Sequence, residues 1–336
     1  MSSLPAINRQ ILYAKQPTGI PTLDCFQLVE GPIPSIKAGQ VLIRNHYLSV
    51  DPYIRMRMEA KDSYAPVMKI GEKMVGRTIG EVVESAADGF APGDWVVGRM
   101  SWEDVSAAPA SELQHIDPSF LPLSAFLGAL GSTGLTAWVG LMEFGKPVAG
   151  QTVLVSAASG AVGSMVGQLA KLRGCRAIGI AGGKRKCDIV VNELGFDACI
   201  DYKSATFEQD LALAVPEGVD VYFDNVGGSI TDFVLTLLKL NARVALCGTV
   251  SQYNATDLYG IKNYREFFNK RVSLRGFVLS DHRDLWPTAT KEIQAAYKVG
   301  KIKHLETVAE GLENAPQAFI DMLNGANVGK QIVRIL

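Results

Sequence analysis

The rhythm of apolar positions changes once along this 336-residue chain. Up to about residue 120, short apolar runs lie between Gly and Pro turns. Residues 40–48 follow Lys37-Ala38-Gly39, residues 94–97 follow Pro92-Gly93, and residues 79–84 form a third run. Each reads as a short strand, and their uneven spacing fits a distorted barrel. From about residue 132, strand-length and helix-length runs alternate. Residues 135–144 predict a helix, 153–155 a fully buried strand, and 164–172 a helix with apolar spacing. Strands follow at 176–180, 198–200, 219–224 and 242–247, separated by helices at 185–194, 207–214 and 230–239. A helix at 263–270, a sixth strand at 272–278 and a helix at 288–299 complete the series. This alternation predicts the α/β class, with a doubly wound parallel sheet joined to a second, β-rich domain. The tail closes on a strand at 331–335 that could return to the first module.

One long stretch changes the picture only briefly. No charge occurs between Asp117 and Glu143, a span long enough to cross a bilayer. It holds Pro118, Pro122, Gly128, Gly131, Gly134 and Gly140, so it reads as a buried hinge between domains and no membrane partner is expected. Residues 1–16 lack the apolar core of a secretory signal. An apolar fraction of 48% with 20% charged residues suits a globular protein with a full core. The net charge is −1 and no basic cluster is interleaved with aromatics, which argues against nucleic acid. Five scattered cysteines, none in C-x-x-C spacing, point to reduced thiols and a cytoplasmic setting.

The candidate chemistry begins after the 153–155 strand. Ala158-Ser159-Gly160-Ala161-Val162-Gly163 is an A-x-G-x-x-G variant of the dinucleotide turn, set between a strand and a helix as that turn requires. Gly160 would let the backbone approach a pyrophosphate, and Gly163 would let the helix sit close on the strand. About 20 residues further on, NAD-specific folds place an acid on the ribose 2′-hydroxyl. Here that place reads Ala181-Gly182-Gly183 followed by Lys184-Arg185-Lys186. Cations in place of a carboxylate favour a 2′-phosphate, and hence NADPH. The four histidines are isolated from any partner at zinc-ligand spacing, so no metal site is expected. The chemistry this leaves is hydride transfer to an acceptor that is already electrophilic, such as a conjugated enal or enone, with a donor meeting the carbonyl oxygen.

Several stretches together carry a family resemblance: Tyr47-Leu48-Ser49-Val50-Asp51-Pro52-Tyr53-Ile54-Arg55, the turn from Ala157 to Gly163, and Tyr222-Phe223-Asp224-Asn225-Val226-Gly227-Gly228. Cys247-Gly248 with Ser251-Gln252-Tyr253-Asn254, and Asn327-Val328-Gly329-Lys330, complete the set. The chain resembles, nearly end to end, the zinc-independent medium-chain dehydrogenase/reductases, in the alkenal/one double-bond reductase branch. The resemblance implies a GroES-like catalytic domain at residues 1–125, a Rossmann NADPH domain at 126–300, and a return to the catalytic domain at 301–336. It implies that Lys186 and Tyr202 hold the 2′-phosphate and that Asn225, Cys247, Gly248 and Tyr253 line the cofactor groove. Phe277, Val278 and Leu279 would flank the nicotinamide, with Asn327 closing over it. Tyr53 would meet the reacting carbonyl as the catalytic donor, with Tyr64 and Tyr253 as further substrate contacts. Members of the branch are often homodimers. The expected activity is NADPH-dependent reduction of the C=C bond of α,β-unsaturated aldehydes and ketones. A quinone reductase on the same fold, or an NADPH-binding protein without turnover, are the alternatives.

Overall fold

The computed structural model describes residues 4–59, 65–120 and 122–336. The chain divides into two compact units, one running up to Leu127 and resuming at Glu306–Leu336, the other spanning Gly128–Leu305.

In the first unit, β1 (Asn8–Tyr13) pairs antiparallel with β2 (Phe26–Gly31). Strand β3 (Gln40–Ser49) is the hub of a larger sheet, followed by the short helix α1 (Tyr53–Arg57). Strands β4 (Val75–Ser85), β5 (Trp95–Ser101), β6 (Val105–Pro109) and β7 (Leu113–His115) complete the segment. β3 can pair with β4 along most of its length and still bend, because its register slips twice. At Gly80 a side chain would lie 2.4 Å from the Arg44 carbonyl oxygen, so only glycine allows the strands to meet there.

The second unit opens with α2 (Ser132–Val139), which widens into a π-helical turn at Gly140–Gly145. The rings of Phe223 and Phe277 occupy the space a side chain at Gly140 would need. The expected single helix over 135–144 is therefore two geometries in series. Parallel strands follow: β8 (Thr152–Val155), β9 (Arg176–Ala181), β10 (Ala198–Asp201), β11 (Val219–Asp224), β12 (Leu238–Leu246) and β13 (Ser273–Gly276). Between and after them run α3 (Ala161–Leu172), α4 (Lys184–Asn192), α5 (Phe207–Ala214), α6 (Gly228–Leu237), α7 (Arg265–Asn269) and α8 (Trp286–Lys298). The sheet order is β10-β9-β8-β11-β12-β13, the doubly wound arrangement whose direction of growth reverses between β8 and β11. Buried Leu154, Ile178, Tyr222, Leu235 and Val244 share one core on this sheet. Several expected boundaries move. The helix expected over 230–239 ends at Leu237, because Leu238 is already in β12, and the helix after the glycine turn starts at Ala161 rather than residue 164. The sixth strand is only four residues long.

The chain then returns to the first unit with β14 (Glu306–Glu310), α9 (Ala315–Leu323) and β15 (Lys330–Arg334). β15 pairs antiparallel with the end of β3, giving a seven-stranded mixed sheet ordered β14-β15-β3-β4-β5-β7, with β6 on the start of β3. Among the described strands this path stays open, since β14 and β7 are not paired to each other, and no closed barrel forms. Phe26 stacks on Trp102 at 6.3 Å, and Phe319 of α9 meets both rings edge-on at 6.1 Å, which anchors the return in the first unit's core.

Candidate functional site

In the second unit, the sequence-predicted residues gather at the carboxyl ends of the parallel strands, at and beside the β8/β11 reversal. Ala157, after β8, adopts φ 50°, and the Gly160 amide donates to its carbonyl at 2.9 Å, which closes a tight turn. A side chain at Gly163 would fall 2.3 Å from that same carbonyl oxygen, and one at Gly160 3.2 Å from it. The glycines therefore keep the start of α3 pressed onto the turn. Ala158 fills the position usually held by the first glycine. Its methyl is tolerated because Gly179 on β9 faces it; a Cβ there would stand 2.8 Å away. No side chain caps the first turn of α3, formed by Ala161, Val162 and Gly163 behind Gly160. Its amides suit an anionic pyrophosphate, because the N-terminus of a helix carries partial positive charge.

At the end of β9, Gly183 takes φ 92° and donates its amide to Asp201 Oδ1 at 2.7 Å. The same oxygen accepts the Lys203 amide at 2.9 Å, so this carboxylate braces backbone. The Tyr202 ring lies over Gly182, where a Cβ would stand 2.8 Å from it, and the Lys203 ammonium is 6.0 Å from the ring centre. Lys184 pairs with Asp188 at 2.6 Å. Lys186, half-buried in the first turn of α4, is held below the ordinary lysine range by burial and then by its cationic neighbours Lys203 and Arg185. Mutually repelling cations beside a glycine turn fit the 2′-phosphate end of NADPH, whose charge would relieve that repulsion. The glycine cradle and this cluster are the two features the dinucleotide needs, and both are present.

On the other side of the glycine turn from this cluster, at the ends of β8 and β11, lies a buried polar network. Asp224, fully buried at the end of β11, accepts bonds from the Ser156 hydroxyl at 3.0 Å, the Tyr222 hydroxyl at 2.9 Å and the Val226 and Gly227 amides at 2.9 and 3.0 Å. Thr231 donates to its other oxygen at 2.5 Å. The Asp224 side chain thus holds the turns after β8 and β11 together. Asn225 sits in the same seam, with its side-chain amide donating to the Ser156 carbonyl at 2.8 Å. Burial and then the Asp224 charge keep the Tyr222 hydroxyl protonated and push the Cys247 thiol up to about 12. The Cys247 and Gly248 amides donate to the Asp224 carbonyl at 2.8 and 3.2 Å. The Tyr253 hydroxyl rests over Gly248, where a Cβ would lie 3.0 Å away, and burial, then Cys247, raise its pKa. Phe277 directs its ring into packing, 5.1 Å from Phe144 and 6.2 Å from Phe223, and the Leu279 carbonyl accepts the Trp286 indole N–H at 3.3 Å. Phe277, Val278 and Leu279 are therefore a half-buried segment that follows the end of β13.

In the first unit, Pro52 sets the start of α1 and Tyr53 is its first residue. Tyr53 is half-buried against the core of Ile54, Met58 and Trp102. Burial and then the Asp51 charge raise its pKa, while Arg99, Arg57 and Arg77 act to lower it. Asp51 accepts a short bond from Ser49 and pairs with Lys330, whose side chain is 2% exposed and whose ammonium also donates to the carbonyls of Val50 and Gln331. Asn327 donates to the Gly329 carbonyl at 2.8 Å in the turn before β15, and Thr307 clasps that turn through both backbone groups of Val328. Tyr64 lies outside the described residues. Among the described residues no three His, Cys, Asp or Glu side chains gather as a metal ion would require.

Known proteins share both units. Residues 9–116 match the model described as the N-terminal domain of oxidoreductase, and residues 161–295 match the model described as zinc-binding dehydrogenase. The chain belongs to the medium-chain dehydrogenase/reductase family, in the branch of alkenal and double-bond reductases. It is 41% identical to the NADPH-dependent curcumin reductase of Escherichia coli, over 98% of this chain and 97% of that one. It is 39% identical to the 2-alkenal reductase (NADP(+)-dependent) of Nicotiana tabacum, over 98% and 97%. The crystal structure of CurA in complex with NADPH from Vibrio vulnificus superposes with a TM-score of 0.93 at 42% identity, covering 98% of this chain and 99% of that one.

Proposed function

We propose that this protein is an NADPH-dependent reductase of the C=C bond of α,β-unsaturated aldehydes and ketones. The observation that carries the cofactor half is Lys186 among Arg185 and Lys203 at the end of β9, where an NAD-specific fold presents a carboxylate. The acceptor half is supported by relatives named for curcumin and 2-alkenals. Gly160, Ala161, Val162 and Gly163 would receive the pyrophosphate, Lys186 with Tyr202 the 2′-phosphate, and Asn225, Cys247, Gly248 and Tyr253 the length of the dinucleotide. Val278, Leu279 and Asn327 would border its nicotinamide end. Bound there, the dinucleotide supplies a hydride, which goes to the β-carbon of the acceptor. Charge then collects on the carbonyl oxygen, and Tyr53 donates a hydrogen bond to it. Burial and Asp51 keep that phenol protonated at neutral pH, as a donor must be. Tyr64 and Tyr253 would complete the acceptor contacts. Following NADPH oxidation with an enone, an enal and a quinone side by side tests this reading.

The first unit, with its hub strand and returning C-terminal strand, is assigned the GroES-like fold, and the division at 125/126 and 300/301 follows its sequence pattern. Five free cysteines support a reducing, cytoplasmic location. The protein is further proposed to be a homodimer joined through β13, an edge strand with all four residues exposed. Phe268 and Tyr264, just before it in the chain, are 85% and 72% exposed. Light scattering should give twice the 36.2 kDa chain mass, and a monomeric mass would reject this assembly.

A further inference from the structure

Two arginines of the first unit face each other where sheet energetics would keep them apart. Arg77 on β4 and Arg99 on β5 are direct cross-strand partners, so both side chains project from the same face. Like charges placed directly opposite are destabilising. Burial deepens the cost. Arg77 is half-buried, and its Nε is shielded from solvent with no hydrogen-bond partner among the described residues. A third guanidinium, that of Arg57 on α1, is buried. Its Nε is satisfied by the Pro66 carbonyl at 2.8 Å, but its Nη1 has no partner among the described residues. None of the three enters an ion pair among the described residues. Of the acids that act on them, Asp51, which acts on Arg77, is already bonded to Lys330 and Ser49, and Glu72, which acts on Arg57, already accepts the Lys69 amide. Burial lowers the pKa of both Arg57 and Arg77, the sign of cations held in a site that leaves them undercompensated. A guanidinium stays charged even so, and a buried charge without a partner is a cost the fold carries unless an anion arrives.

All three act on Tyr53, the residue assigned to the acceptor carbonyl. We propose that Arg77 and Arg99, backed by Arg57, form a subsite for a carboxylate on the acceptor, so that the preferred substrates are enones and enals bearing a carboxylate. This rests on the reductase reading and adds to it the charge class of the substrate and the residues that select it. A planar fork that binds a carboxylate with two parallel bonds is the geometry arginine provides and lysine does not. The exposed Arg99 would meet the anion first, and half-buried Arg77 would hold it where water competes least.

The test uses two probes, a straight-chain enone ending in a carboxylate and its methyl ester, with the wild-type enzyme and with the Arg77→Gln/Arg99→Gln double variant. The expected wild-type preference for the carboxylate is roughly 10- to 100-fold in kcat/KM, expressed mainly in KM. In the variant that ratio should fall toward one, and its thermal midpoint should hold or rise, since two unpaired charges are gone. Calorimetric titration with the saturated forms of both probes reads the same ratio without turnover. Tighter carboxylate binding, abolished in the variant, would support the subsite even if the enone were not reduced. A wild-type ratio near one in binding overturns the proposal, as does a ratio that the substitutions leave unchanged; the second result would assign the arginines to the enolate charge common to both probes. Absence of turnover with either probe would count against the reductase reading alone.

Discussion

The Lys330 ammonium lies 3.0 Å from Asp51 Oδ1, joining positions 279 residues apart in the chain. It also donates to the Val50 carbonyl at 2.6 Å and the Gln331 carbonyl at 3.1 Å, so all three protons of a buried cation are used. The bond ties the returning strand β15 to the residue two places before Tyr53. Fixing Asp51 fixes the start of α1, and with it the direction of the phenol.

Removing one partner of such a pair leaves the other charge buried and uncompensated. Lys330→Met should therefore cost about 3–5 kcal/mol of stability, read as a lower urea midpoint. Adding Asp51→Asn to Lys330→Met should restore part of the loss, because no orphan charge then remains. Single and double variants equally destabilised would mean that the pair matters only for packing.

Tyr53→Phe keeps the ring and removes only the donor. The expected fall in kcat for an enone is about 10- to 1000-fold, since one oxyanion donor contributes up to a few kcal/mol to the transition state. NADPH affinity should stay near wild type, and KM should change less than kcat, because the bond strengthens as charge develops. Unchanged kcat on several enones would remove Tyr53 from the chemistry.

Lys186→Ala should weaken NADPH binding by about 1–3 kcal/mol and leave NADH nearly untouched, as only the former carries a 2′-phosphate. A pH arm sharpens the expectation. The phosphate binds the charged ammonium, and burial with Lys203 and Arg185 lowers the pKa of that ammonium in the free protein. NADPH affinity should therefore decline with rising pH before the ordinary lysine range is reached, and NADH affinity should not. Equal losses for both cofactors would make Lys186 a structural residue.

Much of the dinucleotide unit was legible because its signals are local. Three apolar residues, a glycine turn and a basic stretch lie within about 35 positions, and each acts on its chain neighbours. The elements missed depend on distant contacts. Leu238 begins a strand directly after a helix with no Gly or Pro between them, so no punctuation marks the change. Asp224 is only the polar end of an apolar run in sequence, and becomes an anchor when Ser156, Tyr222 and Thr231 converge on it. Strand β14 and helix α9 went unread in a tail where only the last strand has a clean apolar pattern. The facing of Arg77 and Arg99 is a matter of register, which no single strand encodes.

The central claim is hydride delivery to the β-carbon of a conjugated carbonyl. The direct measurement is turnover of an enone with NADPH deuterated at its transferable hydrogen, followed by NMR of the product. The account predicts a saturated ketone carrying deuterium at the former β-carbon, with a quinone consuming NADPH far more slowly under the same conditions. Deuterium on the carbonyl carbon of an allylic alcohol, or NADPH consumption by the quinone alone, would contradict it.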